Sequence, residues 1–285
     1  MQILLAQHLS FCGGVKRAVE ILFQLAREKN QPIFIYGELI HNSQFNDSLA
    51  AKNIFIAHSL EECRDKIVVI RTHGIPPDLE AALKSTALEV VDLTCPKVKR
   101  VQQLISDYAK ENYQVVITGD PSHPEVIGLK GYAFNALVIS SLAQCKYLPP
   151  DLPPKSVLLS QTTFNEDKFQ LIASCLKETH PHLQVENTLC QATRQRQEEI
   201  RSLSARATKT IVIGGKHSSN TMKLAEIAKK FGTGEVILIE TALELSHLSF
   251  KPDDIIALAS GASTPDWIID QTLDYLKNIQ KGHQK

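Results

Sequence analysis

Three of the six cysteines are set apart by what surrounds them. Cys12, Cys95 and Cys190 each follow a short apolar run and open a helical stretch, at separations of 83 and 95 residues. A helix N-terminus carries partial positive charge, which favours the thiolate, the form that binds metal. Cys63, Cys145 and Cys175 lie in helix-like or edge segments with no polar turn beside them, and read as small apolar residues on packed faces. The sequence has neither CxxC pairs nor the dense spacing of a disulfide framework. A structural zinc takes four protein ligands, usually in two short-spaced pairs, which are missing here. Four cysteines are usual for a [4Fe–4S] centre, so three would leave one iron open to a substrate oxygen as a Lewis acid. Three cysteines therefore point to a catalytic cluster over an electron wire.

The elements that must position these thiols follow an α/β pattern. Short β-rich runs alternate with helical stretches, which predicts mainly parallel sheets. Strands are expected at 2–5, 33–36, 67–70, 89–93, 114–117, 157–159, 210–213, 236–239 and 255–258, and helices at 15–28, 97–110, 194–205, 221–230 and 266–279. The proline pairs in 147–154 predict a linker or surface loop.

One unit recurs three times: a strand, a turn bearing cysteine, then a helix. A second polar turn follows each cysteine at a spacing of 28–29 residues. These turns are Gly37-Glu-Leu-Ile-His41-Asn42, Gly119-Asp-Pro-Ser-His123-Pro-Glu125 and Gly214-Gly-Lys-His-Ser218-Ser219-Asn220. A third turn closes each unit: Arg71-Thr-His73-Gly74, Ser160-Gln-Thr162-Thr163 and Ser260-Gly-Ala-Ser263-Thr264. Ligands of open parallel sheets bind at the C-terminal ends of strands, where such turns gather. The expected architecture is three similar α/β lobes with mainly parallel sheets around a pseudo-threefold axis, the cluster at the centre. The lobes would span 1–94 with Cys12, 95–188 with Cys95 and 189–279 with Cys190, leaving a tail at 280–285.

Composition narrows the function. Lys plus Arg and Asp plus Glu both number 31, so the net charge is zero, and no basic stripe marks a nucleic-acid binder. Any anionic ligand must be held by local geometry. No apolar run approaches the roughly 18 residues of a membrane helix, and the N-terminus lacks the pattern of a signal peptide, so a cytoplasmic protein is expected. Lys216 is followed by His217 and does not complete a P-loop, and Gly232-Thr-Gly234 lacks the third glycine of a dinucleotide fingerprint. A direct nicotinamide site is therefore unsupported.

The motifs, taken in order, resemble one family along nearly the whole chain. They are Phe11-Cys-Gly-Gly-Val15, His41-Asn42, Thr72-His-Gly74, Asp92-Leu-Thr-Cys-Pro96, His123-Pro-Glu-Val126, Gln161-Thr-Thr163, Cys190-Gln-Ala-Thr193 with Arg196-Gln197, Ser218-Ser-Asn220, and Gly261-Ala-Ser263 with Pro265-Asp266. The family is 4-hydroxy-3-methylbut-2-enyl diphosphate reductase, the iron–sulfur enzyme of the last step of the non-mevalonate isoprenoid pathway. This sequence departs from it at Ser10, where the family usually has Gly, at Gly215 and His217, which replace Ser and Asn, and at Ser160, which replaces a common Thr.

The resemblance implies roles. Cys12, Cys95 and Cys190 would ligate one [4Fe–4S] cluster whose fourth iron binds the substrate's allylic hydroxyl oxygen. Glu125 would supply the proton on which C–O cleavage depends, a role suited to a carboxyl whose pKa burial raises. Thr162 would bond near the substrate alcohol and relay protons, while Gln161 and Thr163 shape the turn. His41, His73, His123, Ser218, Ser219, Asn220 and Ser263 would bind the diphosphate as neutral donors near helix starts, where backbone N–H groups also favour anions. Products would be isopentenyl and dimethylallyl diphosphate. Two alternatives stay open on the residues: a quinolinate synthase-like iron–sulfur lyase, which consumes no reductant, and a non-enzymatic metal-binding protein.

Overall fold

The computed structural model describes residues 1–149 and 152–282. Pro150 and Asp151 of the expected loop, and 283–285 of the expected tail, lie outside the described residues. The strands are β1 (Gln2–Leu5), β2 (Ile33–Tyr36), β3 (Ile54–Ala57), β4 (Ile67–Ile70), β5 (Glu89–Asp92), β6 (Gln114–Thr118), β7 (Leu137–Ile139), β8 (Ser156–Ser160), β9 (Gln184–Val185), β10 (Lys209–Ile213), β11 (Glu235–Ile239) and β12 (Ile255–Ser260). The α-helices are α1 (Gly13–Glu28), α2 (Ser43–Leu49), α3 (Pro77–Thr86), α4 (Pro96–Lys110), α5 (Pro124–Lys130), α6 (Glu166–Thr179), α7 (Gln191–Ser204), α8 (Ser219–Phe231) and α9 (Asp266–Gly282). Helix α9 runs on into the stretch expected as a tail.

The strands form three four-stranded sheets, and every pairing is parallel. Sheet I has the order β3-β2-β4-β5, sheet II the order β7-β6-β8-β9, and sheet III the order β1-β12-β10-β11. Read from the other edge, sheet III is β11-β10-β12-β1, so all three share one order: second, first, third, fourth. The fourth strand of sheet III is β1, which pairs with β12 from Gln2↔Ile255 to Leu5↔Leu258. This corrects the expected boundary at the N-terminus. Residues 2–5 complete the sheet of the C-terminal lobe instead of starting the first lobe, because their apolar side chains pack there. Met1, Ile3 and Leu9 lie against the core of Ile211, Ile213, Ile256, Leu258 and Ile268.

Strand periodicity explains the layering. In sheet III, Ile211 and Ile213 face α9, through Ile268, Ile269 and Leu276, while Val212 faces α7 and α8, through Ile200 and Leu224. Sheet II repeats this: Val116 and Leu158 meet Phe169, Ile172 and Leu176 of α6, and Val115 and Ile117 meet Val101 and Ile105 of α4. Strands covered on both faces read as continuous apolar runs, as Ile67-Val-Val-Ile70 does.

The chain divides into two compact units. One comprises Met1–Lys16, His41–Phe45 and Gln191–Lys285, with sheet III; the other comprises Arg17–Ile40 and Asn46–Cys190, with sheets I and II. Among the described residues, no helix is long and apolar enough to cross a membrane.

Candidate active site

Each of the three singled-out cysteines follows the fourth strand of a sheet and directly precedes a helix: Cys12 comes after β1 and before α1, Cys95 after β5 and before α4, Cys190 after β9 and before α7. Each backbone N–H donates to the turn after the third strand of that same sheet. Cys12 N bonds Ala262 O at 3.0 Å, Cys95 N bonds Thr72 O at 2.9 Å, and Cys190 N bonds Thr162 O at 3.0 Å. A bond repeated three times fixes each thiol beside a polar turn. None of the three is in a disulfide, and all are partly exposed. Thiols at helix starts suit an iron–sulfur group, and these are the residues that could hold one.

In the unit with sheets I and II, Glu125 sits in the first turn of α5 and is 1% exposed. The Thr162 backbone N–H donates to its Oε1 at 2.6 Å and the Thr162 hydroxyl to its Oε2 at 2.8 Å. Burial pushes the Glu125 carboxyl up to about 7, and the two Thr162 bonds oppose that rise. The group is thus poised to give or take a proton near neutrality.

His123 caps α5, its Nδ1 accepting from the Glu125 N–H at 3.1 Å. An accepting Nδ1 puts the ring proton of a neutral imidazole on Nε2. The His73 ring packs edge-on to it, centroids 5.3 Å apart. Helix α5 packs on the turn that carries His73: a Cβ on Gly128 would lie in ordinary contact, 3.6 Å from the Gly74 and Ile75 backbones. Gly74, at φ +71°, turns the chain there in a conformation that side chains disfavour. Thr72 ties the turn to the one after β2, its hydroxyl donating to Leu39 O at 2.7 Å. In sheet II Gln161 does the equivalent, accepting from Asp120 N at 3.1 Å and donating to Thr163 Oγ1 at 3.0 Å.

The unit with sheet III gathers His41, Asn42, Ser218, Ser219, Asn220 and Ser263. A Cβ on Gly215 would lie 2.4 Å from His41 O, so the His41-Asn42 segment lies directly on the turn after β10. Ser218 caps α8, accepting from Thr221 N. The Asn220 amide is buried, and neither its Oδ1 nor its Nδ2 has a partner among the described residues. A buried amide without a partner costs free energy unless a ligand satisfies it. Lys216, the one cation of the turn, is drawn to Glu244 at 2.7 Å. Thr264 Oγ1 donates to Ile213 O at 2.9 Å and holds the Ser263 turn against β10.

Sequence reasoning missed the clamp on the Cys12 loop. Arg196 of α7 is 5% exposed, and its Nη2 donates to Ser10 O at 2.8 Å. Three residues on, Glu199 accepts from His8 N at 3.1 Å and pairs with His8 Nδ1 at 2.7 Å. Residues three apart share a helix face, so a buried Arg followed at that spacing by Glu was the available signal. Ser10 takes the left-handed φ of 66°, a conformation that glycine adopts more readily than serine. Its N–H is held by Ser260 Oγ at 2.9 Å.

The fold is that of an α/β enzyme built on three like parallel sheets, each with a cysteine-bearing turn after its fourth strand. The chain belongs to the LytB protein family, which it matches over residues 3–277. It is 39% identical over 287 residues to the 4-hydroxy-3-methylbut-2-enyl diphosphate reductase of Caldanaerobacter subterraneus subsp. tengcongensis, covering 98% of each chain. The structure of the E-1-hydroxy-2-methyl-but-2-enyl-4-diphosphate reductase of Plasmodium falciparum superposes with a TM-score of 0.89 at 27% identity, over 97% of this chain and 88% of that one. A second solved structure, (E)-4-hydroxy-3-methyl-but-2-enyl diphosphate reductase, described as the terminal enzyme of the non-mevalonate pathway, gives 0.70 at 35% identity over 97% and 99%.

Proposed function

We propose that this chain reduces 4-hydroxy-3-methylbut-2-enyl diphosphate to isopentenyl and dimethylallyl diphosphate, releasing the hydroxyl as water, as the last step of the non-mevalonate pathway. The observation that carries this reading is the buried Glu125–Thr162 pair. Loss of hydroxyl from carbon requires a proton at the departing oxygen, and water would be a poor source inside a closed site. Glu125, buried and raised to about 7, holds that proton at physiological pH without a large cost to release it. The Thr162 hydroxyl lies between donor and substrate as a relay, since one O–H can accept and donate in a single transfer.

The diphosphate falls to the neutral donors: His41, His73 and His123 Nε2–H, Ser218, Ser219, Ser263 and the unmatched Asn220 amide. Neutral donors suit a chain of zero net charge and avoid burying cations that product release would have to strip of their anion. Cys12, Cys95 and Cys190 would hold a [4Fe–4S] cluster, which would pass the two electrons of the reduction one at a time and offer a Lewis-acidic iron to the allylic oxygen. Those electrons come from a ferredoxin- or flavodoxin-type protein, and the enzyme works in the cytoplasm. Anaerobic incubation of the loaded enzyme with the hydroxylated diphosphate and a chemical reductant tests the reading. Both five-carbon diphosphates should form in proportion to the reductant consumed. Product formed without reductant would reject it in favour of a lyase.

A further inference from the structure

Sheet II carries a second pair of thiols, away from the turns just described. The 3-10 segment Leu142–Tyr147 packs on α6, and each contributes one cysteine. Cys145 belongs to the apolar cluster of Val116, Leu158, Phe169 and Ile172, and Cys175 packs against that same cluster from its rim. The two thiols share this one cluster, and burial first, then the Cys175 thiol beside it, pushes the Cys145 thiol up to about 11. Both are free thiols in the structure, Cys145 9% exposed and Cys175 partly exposed. Nothing in the proposed reaction uses either.

We infer that Cys145 and Cys175 form a reversible disulfide with a small peroxide as oxidant, stapling the 142–147 segment to α6. The asymmetry of exposure fixes the order of events. Cys175, reachable from solvent, attacks as thiolate; the peroxide O–O bond breaks, hydroxide leaves and takes up the thiol proton, and Cys175 becomes a sulfenic acid. Cys145 sulfur then displaces that hydroxyl, and its own proton leaves with it as a second water. The two sulfurs give up two electrons and the peroxide accepts two. Shielded Cys145 acts only once its partner is activated. Cross-links of this partly exposed kind are the ones that reductants reverse.

The test uses the holoprotein prepared anaerobically and reduced, then given a few equivalents of hydrogen peroxide, alkylated, digested and analysed by mass spectrometry. A peptide pair joined through Cys145 and Cys175 is expected, reversed by dithiothreitol. Closing a loop of roughly 30 residues should raise the Tm of the oxidised form by roughly 5 °C. Cys145→Ala should leave Cys175 to be trapped by a sulfenic-acid probe, and Cys175→Ala should abolish the cross-link. Full alkylation of both thiols after peroxide would overturn the inference. So would a cross-link from Cys145 to Cys12, Cys95 or Cys190, or an untrappable Cys175 in Cys145→Ala.

Discussion

At the scale of residues, one carboxyl and one hydroxyl dominate. Glu125 is raised to about 7, so its acid form prevails below that pH and turnover should fall as pH rises through it. The Thr162 hydroxyl donates to Glu125 and so favours the carboxylate; removing it raises the carboxyl further. Thr162→Ala should therefore move the descending limb of a kcat–pH profile upward while lowering the maximum. Glu125→Gln should erase the limb and lower kcat by at least about 100-fold, with substrate affinity within a few-fold. A limb that stays near 7 in Thr162→Ala would remove the pair from the proton path. Both residues were legible in the sequence only through their motifs. Nothing in His123-Pro-Glu125 announces that the carboxyl is enclosed or that a threonine 37 positions later closes on it. That knowledge resides in the parallel packing of β6 on β8, a long-range fact.

Among elements, the turns decide what the strands present. The predicted strands match observed ones to within two residues at each end; the central ones are apolar along most of their length, and the edges β1, β5 and β11 carry enough β-branched or aliphatic residues to show. The strands that escaped prediction, β3, β7 and β9, are all sheet edges. β7 and β9 have three and two residues, too few to show a period, and Ile54-Phe-Ile-Ala57 fits strand or helix equally. Helices α2, α3, α5 and α6 escaped too; α2 and α5 have only seven residues each, while α3 and α6, of ten and fourteen, were missed despite their length. The loop before Cys12 carries a measurable strain. Ser10 holds a positive φ that costs a side-chain-bearing residue about 1 kcal/mol, and its backbone N–H and C=O bonds would survive replacement by glycine. Ser10→Gly should raise the unfolding free energy by up to about 1 kcal/mol in urea titrations, with activity retained. A loss of stability would mean that the serine hydroxyl itself holds the loop.

Across the whole chain, the repeat is cyclic: the order second, first, third, fourth recurs in every sheet, but the third sheet draws its fourth strand from the N-terminus. Spacing of cysteines and turns disclosed the repeat, while the offset stayed hidden, since no local pattern says which sheet an edge strand joins. Deleting residues 1–5 should therefore weaken the distant β12. Amide exchange at Ile255–Leu258 should accelerate at least tenfold, while β6 and β8 in the other unit keep their protection. Uniform loss across all three sheets would instead point to one cooperative structure.

The pairing of β1 with β12 also sets a timetable for biosynthesis. A ribosome delivers Cys12 some 250 residues before the Ala262 carbonyl that bonds it. At about 5–20 residues per second, that thiol waits roughly ten seconds or more without its native neighbours. Of the three thiols singled out, the first made is then among the last to be seated, so assembly of any inorganic centre on it belongs after residue 262 has emerged.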